Sequence, residues 1–294
     1  MPSKVYYTKQ ITPESLIKIY EALGANLKGR IGVKVSTGEA GAKGYLKAEL
    51  IGPLVKKING TIIECNTAYP GKRTTTKEHY QVAFNHGFTK FAEVDIMDED
   101  GDFKIPVKNG KHLEFDLIGN HFAEYDSILN LAHGKGHAMG GFGANLKNQS
   151  IGIASRKGKA YIHSCGKTTS PKLCWLSKHE QIDFIESMAE AATAVADYLK
   201  EQGKPIAYIT VMNALSVDCD CDKNQGDPVM SDLGIVASLD PVANDQAFID
   251  MIWASTDPGA TELKERIDSR EGRAILPYAE SLGLGSTKYE LIEI

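Results

Sequence analysis

Alternating strand and helix signals through the first third of the chain restrict the fold more than any other feature. Residues 5–8 read as a short strand. Thr12 and Pro13 then read as N-cap and first helical residue, with Leu16, Ile19, Tyr20 and Leu23 on one face and Gly24 as the stop. Strands are expected over 31–35, 61–65 and 92–97, with helices over 45–58 and 76–85 between them. A strand that is followed each time by a helix feeds a parallel sheet with helices on its faces.

Later segments continue the theme less regularly. Residues 98–102 read as a turn, 113–115 as strand, and 128–131 as a buried strand that opens into a glycine-rich segment. Ser177 and Glu180 read as a capping box ahead of a helix carrying Ile182, Ile185, Met188, Ala192, Val195 and Leu199, with Gly203 ending it. A strand over 206–211, a helix opening at Asp240-Pro241, and a terminal strand over 289–294 follow. The expectation is an α/β fold, a mostly parallel sheet flanked by helices. The break near Lys167–Lys172 suggests two lobes, 1–166 and 167–294, facing a cleft, or one composite domain.

The chain has 294 residues, 42% hydrophobic and 24% charged, with a net charge of −5. That balance suits a globular protein and argues against non-specific nucleic-acid binding. No apolar run reaches membrane-spanning length, and the start lacks the apolar core of a signal peptide. Five cysteines in a chain this long read as reduced thiols in the cytoplasm.

The glycine-rich segment runs His133-Gly134-Lys135-Gly136-His137-Ala138-Met139-Gly140-Gly141-Phe142-Gly143-Ala144-Asn145-Leu146-Lys147-Asn148. Its glycines let backbone approach a ligand, and a loop after a buried strand lies at the carboxyl edge of the sheet. His133, Lys135, His137, Lys147 and Asn148, with Gly141 and Gly143, are candidates to hold a carboxylate or phosphate. Lys34 and Glu39 after the second strand, and Asn66, Tyr69, Lys72, Arg73 and Thr74 after the third, reach the same edge. Arg73 is the best anion clamp among them. Asp240 and Asp245 read as helix-capping residues, and Cys65 as core. His79, His86, His112, His121 and His179 read as surface or packing residues.

Ser216-Val217-Asp218-Cys219-Asp220-Cys221-Asp222 is the metal signal. If extended, it turns Cys219 and Cys221 to one face and three aspartates to the other, which raises the thiol pKa values. Two thiols on one face suit a soft metal, with His163 (after a strand over 160–162), Cys165 and Cys174 as further ligands. The centre is left as an iron–sulfur cluster, zinc or nickel.

Several of these pieces together resemble family 362 of the domains of unknown function, whose members carry the label of iron–sulfur centre proteins. They are Gly32-Val33-Lys34-Val35 with Gly38-Glu39, Asn66 through Arg73, His133-Gly134-Lys135-Gly136-His137, Leu146-Lys147-Asn148, Cys219-Asp220-Cys221, and Asp232 through Ile235 followed by Leu239 through Ala243. Many members carry a ferredoxin-like insert, C-x₂-C-x₂-C-x₃-C-P, which this chain lacks. A more distant resemblance is to lactate-racemase-type enzymes with a nickel-pincer nucleotide. It rests on His137, Gly140-Gly141-Phe142-Gly143, Lys147 and His163. It implies His137 as acid/base, Lys147 as covalent cofactor anchor and His163 as nickel ligand. Tyr69 and Arg73 stand where those racemases place a second acid/base histidine.

The expected function is a metal-dependent enzyme of redox or proton-transfer type on a small anionic substrate, with a redox partner if electrons pass. A pincer-dependent enzyme or a non-catalytic metal-binding or electron-carrier module are the alternatives.

Overall fold

The computed structural model describes residues 2–222 and 225–294. β1 (Ser3–Thr8) leads to α1 (Pro13–Leu23), which Thr12 caps as expected and Gly24 ends at φ +63°. β2 (Ile31–Lys34), α2 (Ala48–Lys57), β3 (Gly60–Glu64), α3 (Thr76–Asn85) and β4 (Val94–Ile96) complete the alternation. β5 (Asp102–Pro106) and β6 (Phe115–Gly119) form a separate antiparallel pair, placing strand after rather than over 113–114. β7 (Ser127–His133) is buried along its whole length.

The glycine-rich segment is not one open loop. β8 (Lys135–His137) and β9 (Gly141–Gly143) form a small hairpin, and α4 (Asn145–Ile153) starts at once. α5 (Arg156–His163) replaces the strand expected before His163. Its N-cap, Ser155, accepts from the Gly158 N–H, a local signal that outweighed the short apolar stretch. α6 (Gln181–Glu201) starts later than expected, because Glu180 and Asp183, rather than Ser177 and Glu180, cap each other. β10 (Ile206–Met212), β11 (Gly234–Ser238), α7 (Pro241–Ala254), α8 (Ala260–Ser269), α9 (Ile275–Ser281) and β12 (Tyr289–Glu293) follow.

Eight strands make one sheet in the order β12-β1-β11-β10-β7-β2-β3-β4. β11 runs against both neighbours, and the remaining pairings are parallel. The fold is α/β. The sheet and its largest core cluster take residues from both sides of the Lys167–Lys172 break. One face is covered by an apolar cluster that includes Leu16, Ile51, Leu54 and Ala83 of α1, α2 and α3. The other is covered by α4, α6 and α7, with Leu146, Ile185 and Phe248 in its core.

This topology fixes where a site can form. β10, β7, β2 and β3 are adjacent and parallel, so their carboxyl ends share one edge. From β2 the chain builds outward to β3 and β4, and from β7 it builds the other way to β10. Such a reversal opens a crevice at the carboxyl ends.

Candidate active site

Four segments converge on that edge: 34–39 after β2, 65–73 after β3, the β8–β9 hairpin with α4 after β7, and 213–222 after β10. They border a cavity of about 640 Å³. Its lining includes Lys34, Glu39, Arg73, His137, Lys147, Asn148, His163 and Cys221 from the sequence-predicted set.

One wall is a buried charge network. Glu64 accepts from Lys34 Nζ (3.2 Å), Arg73 Nη1 (3.2 Å) and the Thr37 N–H (2.7 Å). Burial acts to raise its pKa, but Lys34 and Arg73 reverse that and hold it down to about 2. Lys34 also donates to Asn148 Oδ1 (3.0 Å), yet burial outweighs its partners and pushes it down to about 8. Arg73 donates to Tyr69 Oη (2.7 Å) and lies 3.7 Å from Glu39. A Cβ at Gly71 would sit 2.5 Å from Glu39 Oε2, so a larger residue there would push that carboxylate aside. Burial raises the Tyr69 pKa well above its usual value, with Arg73 opposing, so it stays a neutral hydroxyl.

Beside this network the Glu39 N–H donates to the Asp220 carbonyl (2.8 Å), which brings in the thiols, with Cys221 lining the cavity and Cys219 buried behind it. Residues 219–222 make a turn, closed by the Asp222 N–H on the Cys219 carbonyl (2.9 Å), rather than the extended segment the sequence suggested. Cys219 and Cys221 still meet, because the turn folds the Cys221 N–H onto Cys219 Sγ (3.3 Å). Asp220 points away into buried contacts with Lys135 (3.1 Å), His133 (3.4 Å) and Ser36 (3.1 Å). Asp218 pairs with Arg266. Lys147, in the first turn of α4, lies with Nζ 3.8 Å from Cys219 Sγ. The expected rise of both thiol pKa values is therefore half wrong. Burial and Asp220 act upward on Cys219, but the Cys221 hydrogen bond and Lys147 bring it below the usual thiol value. Cys221, half-buried, is pushed up by its hydrogen bond to Cys219 and by desolvation.

His137 Nε2 lies 3.7 Å from Cys221 Sγ, and its ligand atom and the two sulfurs all fall within 4.8 Å of one another. Its Nδ1 accepts the N–H groups of Met139 (3.2 Å) and Gly140 (2.9 Å). Burial and the nearby cations lower its pKa, so the ring is neutral and must carry its proton on Nε2. Metal-bound histidine normally donates its other N–H to an acceptor. His137 is set up the other way, as a hydrogen-bond donor facing the thiols.

α4 holds Lys147 in place because its own backbone is tied down. Asp245 of α7 accepts from the Asn145 and Leu146 N–H groups (2.9 Å each). Asn148 Nδ2 donates to the Lys34 carbonyl (3.0 Å) and Asn130 Oδ1 (2.7 Å).

Other predicted residues sit elsewhere. His133 and Lys135 do not line the cavity; they fix Asp220 behind the thiols, and His133 also contacts the Asn213 carbonyl (2.6 Å). Gly141, at φ +77°, packs against Gly272 and the Ile267 carbonyl, and Gly143 lies beside the Lys135 and Lys147 side chains. Cys165 packs in the core around α6, and the Cys174 thiol faces the Pro171 carbonyl (3.6 Å). Neither joins the Cys219–Cys221 pair, because α5 turns its cavity face with His163 and leaves Cys165 beyond its end. His163 stacks on Phe184 (4.9 Å between ring centroids), and burial with Lys147 and Lys159 pushes it down to about 3. Glu64, Lys159 and Trp175 are cavity residues that no sequence signal marked. His79, expected as packing, is buried beside Thr37 (3.4 Å).

The sequence profile of the domain of unknown function DUF362 matches residues 31–250. The chain belongs to the DUF362 family. This DUF362 chain is also similar in fold to the lactate racemase apoprotein from Thermoanaerobacterium thermosaccharolyticum, at 12% identity and a TM-score of 0.47, over 85% of this chain and 57% of that one. A protein from Thermotoga maritima of known crystal structure is similar at 10% identity and a TM-score of 0.45, over 90% of this chain and 60% of that one. The DUF362 chain thus spans less than two thirds of either structure, and at these scores neither likeness carries a site residue across. No curated protein matches.

Proposed function

We propose that this chain is a metal-dependent enzyme that holds one soft ion on Cys219 and Cys221 and performs proton-transfer chemistry on a small anionic substrate. The meeting of the two thiols with Lys147 and His137 beside the cavity, which His137, Lys147 and Cys221 line, carries this reading. An iron–sulfur cluster held by four thiolates does not fit the described residues, since Cys65, Cys165 and Cys174 are engaged elsewhere. Two thiolates with open positions suit a single zinc, nickel or iron ion. Bound there, the ion would polarise a substrate oxygen.

The chain's own groups supply the rest. Lys147 neutralises thiolate charge. His137 presents a proton at Nε2, which favours proton transfer over electron transfer. The Tyr69 hydroxyl, backed by Arg73, lines the same cavity and is a donor to a substrate oxygen. Protein purified without oxygen is expected to contain stoichiometric metal, lost in Cys219→Ser and Cys221→Ser and kept in Cys165→Ser and Cys174→Ser. Metal-free protein with every thiol free would sink the reading.

A pincer-type cofactor on Lys147 is the second reading. It is supported by His163, which lines the same cavity with a buried Nδ1 that has no partner. Intact mass should then show an adduct that Lys147→Ala removes; an unmodified mass from a nickel-supplied host counts against it.

A further inference from the structure

The buried cations in and behind the cavity wall differ in one respect. Lys34 faces Glu64, Arg73 faces Glu64 and Glu39, Lys135 faces Asp220, and Lys147 lies beside Cys219. Lys159 lines the cavity at 5% exposure and, among the described residues, has no carboxylate or thiol within ion-pair distance. Asp116 feels its charge without touching it. Lys159 Nζ donates to the carbonyls of Ala154 (2.5 Å) and Cys65 (3.5 Å). The first lies at the end of α4, where the helix dipole offers partial negative charge. Two carbonyls leave one N–H of the Lys159 ammonium unspent, with no carboxylate in contact among the described residues.

A second observation points to the same place. His163 stands four residues further along α5, so its side chain shares the Lys159 face. It is 7% exposed and lines the cavity, and its Nδ1, itself buried, has no hydrogen-bond partner among the described residues. Trp175 covers this end, with ring centroids 5.0 Å apart.

We propose that Lys159, with His163 beside it, is the seat for an oxyanion, a carboxylate or phosphate, of the cavity's ligand. The seat orients that ligand so that its remainder reaches toward His137 and Cys221. The inference rests on the reading above for the negative charge of the substrate, and it adds where that charge is held.

Calorimetric titration of the full chain with sodium phosphate and, separately, sodium malonate at fixed ionic strength tests it. Saturable binding of at least one anion is expected. It should be weakened about ten- to a hundredfold in Lys159→Gln, the worth of one charge-assisted hydrogen bond, and largely kept in Lys159→Arg. Phosphate binding alone identifies a phosphoryl group, and malonate binding alone a carboxylate. No saturable binding of either, or unchanged affinity in Lys159→Gln, overturns the assignment. A readout free of any change at Lys159 is tryptophan emission, expected to respond to the anion in wild type but not in Trp175→Phe; a silent wild type also overturns it. Metal content is measured on the same samples. Metal-free protein that binds the anion through Lys159 removes the metal reading and leaves the seat standing, and metal-loaded protein without anion binding does the reverse.

Discussion

Glu64→Gln is the substitution that most directly probes the buried wall of the cavity. Glu64 is 4% exposed and serves Lys34, Arg73 and the Thr37 N–H together. Glutamine keeps the shape and can still accept from Thr37, but it removes the charge that two buried cations share. Removing one partner of a buried ion pair costs about 3–5 kcal/mol. The carboxylate's own titration gives a second route to the magnitude. Its pKa falls from an ordinary 4.5 to about 2. At ~1.36 kcal/mol per unit, that shift corresponds to about 3 kcal/mol. Because the folded value is depressed, this stability is present above the ordinary value and is lost as pH falls from about 4.5 to 2. The lysine end of the pair reads differently, since burial drives Lys34 down to about 8 despite Glu64. The carboxylate end sets the magnitude, because Glu64 gathers two cations and an N–H, whereas Lys34 spends its other bonds on the Val35 carbonyl and Asn148 Oδ1. Urea denaturation followed by circular dichroism at pH 7, repeated at steps down to pH 3, measures both effects. A loss below about 1 kcal/mol at pH 7, typical of an ordinary surface change, would refute the reasoning, as would an acid dependence identical to wild type.

His137→Gln is expected to keep full metal content, since His137 faces the thiols as a donor; metal loss in elemental analysis would show that it is a ligand instead. Asp116 is buried, one carboxylate oxygen has no partner, and burial pushes it up to about 7. Its ionisation therefore opposes folding increasingly as pH rises from about 4 to 7, and Asp116→Asn should be more stable at pH 7 by up to about 4 kcal/mol. A lower melting temperature for that variant at pH 7 would contradict this. Glu190, fully buried in α6, accepts from the Lys111, His112 and Leu113 N–H groups and the Tyr278 hydroxyl. Glu190→Ala leaves those donors unsatisfied and should cost about 3 kcal/mol or more in denaturant titration, whereas a near-neutral result would mean that water replaces them.

Much of the cavity was legible because parallel strands put their carboxyl ends on one edge. Reading 31–35 and 61–65 as strands was enough to send Lys34, Glu39 and Arg73 to one place. The errors came where local pattern was ambiguous. Residues 160–162 are apolar enough for a strand, but the Ser155 cap made them helix, and this turned His163 into the cavity and Cys165 out of it. Lys135 and His133 carry the right chemistry at the right edge, yet both are spent on Asp220.

The sequence by itself determined the α/β class, the parallel core of the sheet and the edge where the cavity forms. These follow from short-range periodicity. The tertiary structure decided which ionisable groups are spent on each other and which are left for a ligand. Glu64 against Lys34 and Arg73, Asp220 against Lys135, and Lys147 against Cys219 are contacts between distant segments. Charge compensation in a buried site depends on distances of a few ångströms, which no local pattern encodes. For that reason the sequence alone does not show that Lys159, unlike Lys34, Arg73 and Lys135, pairs with no carboxylate among the described residues.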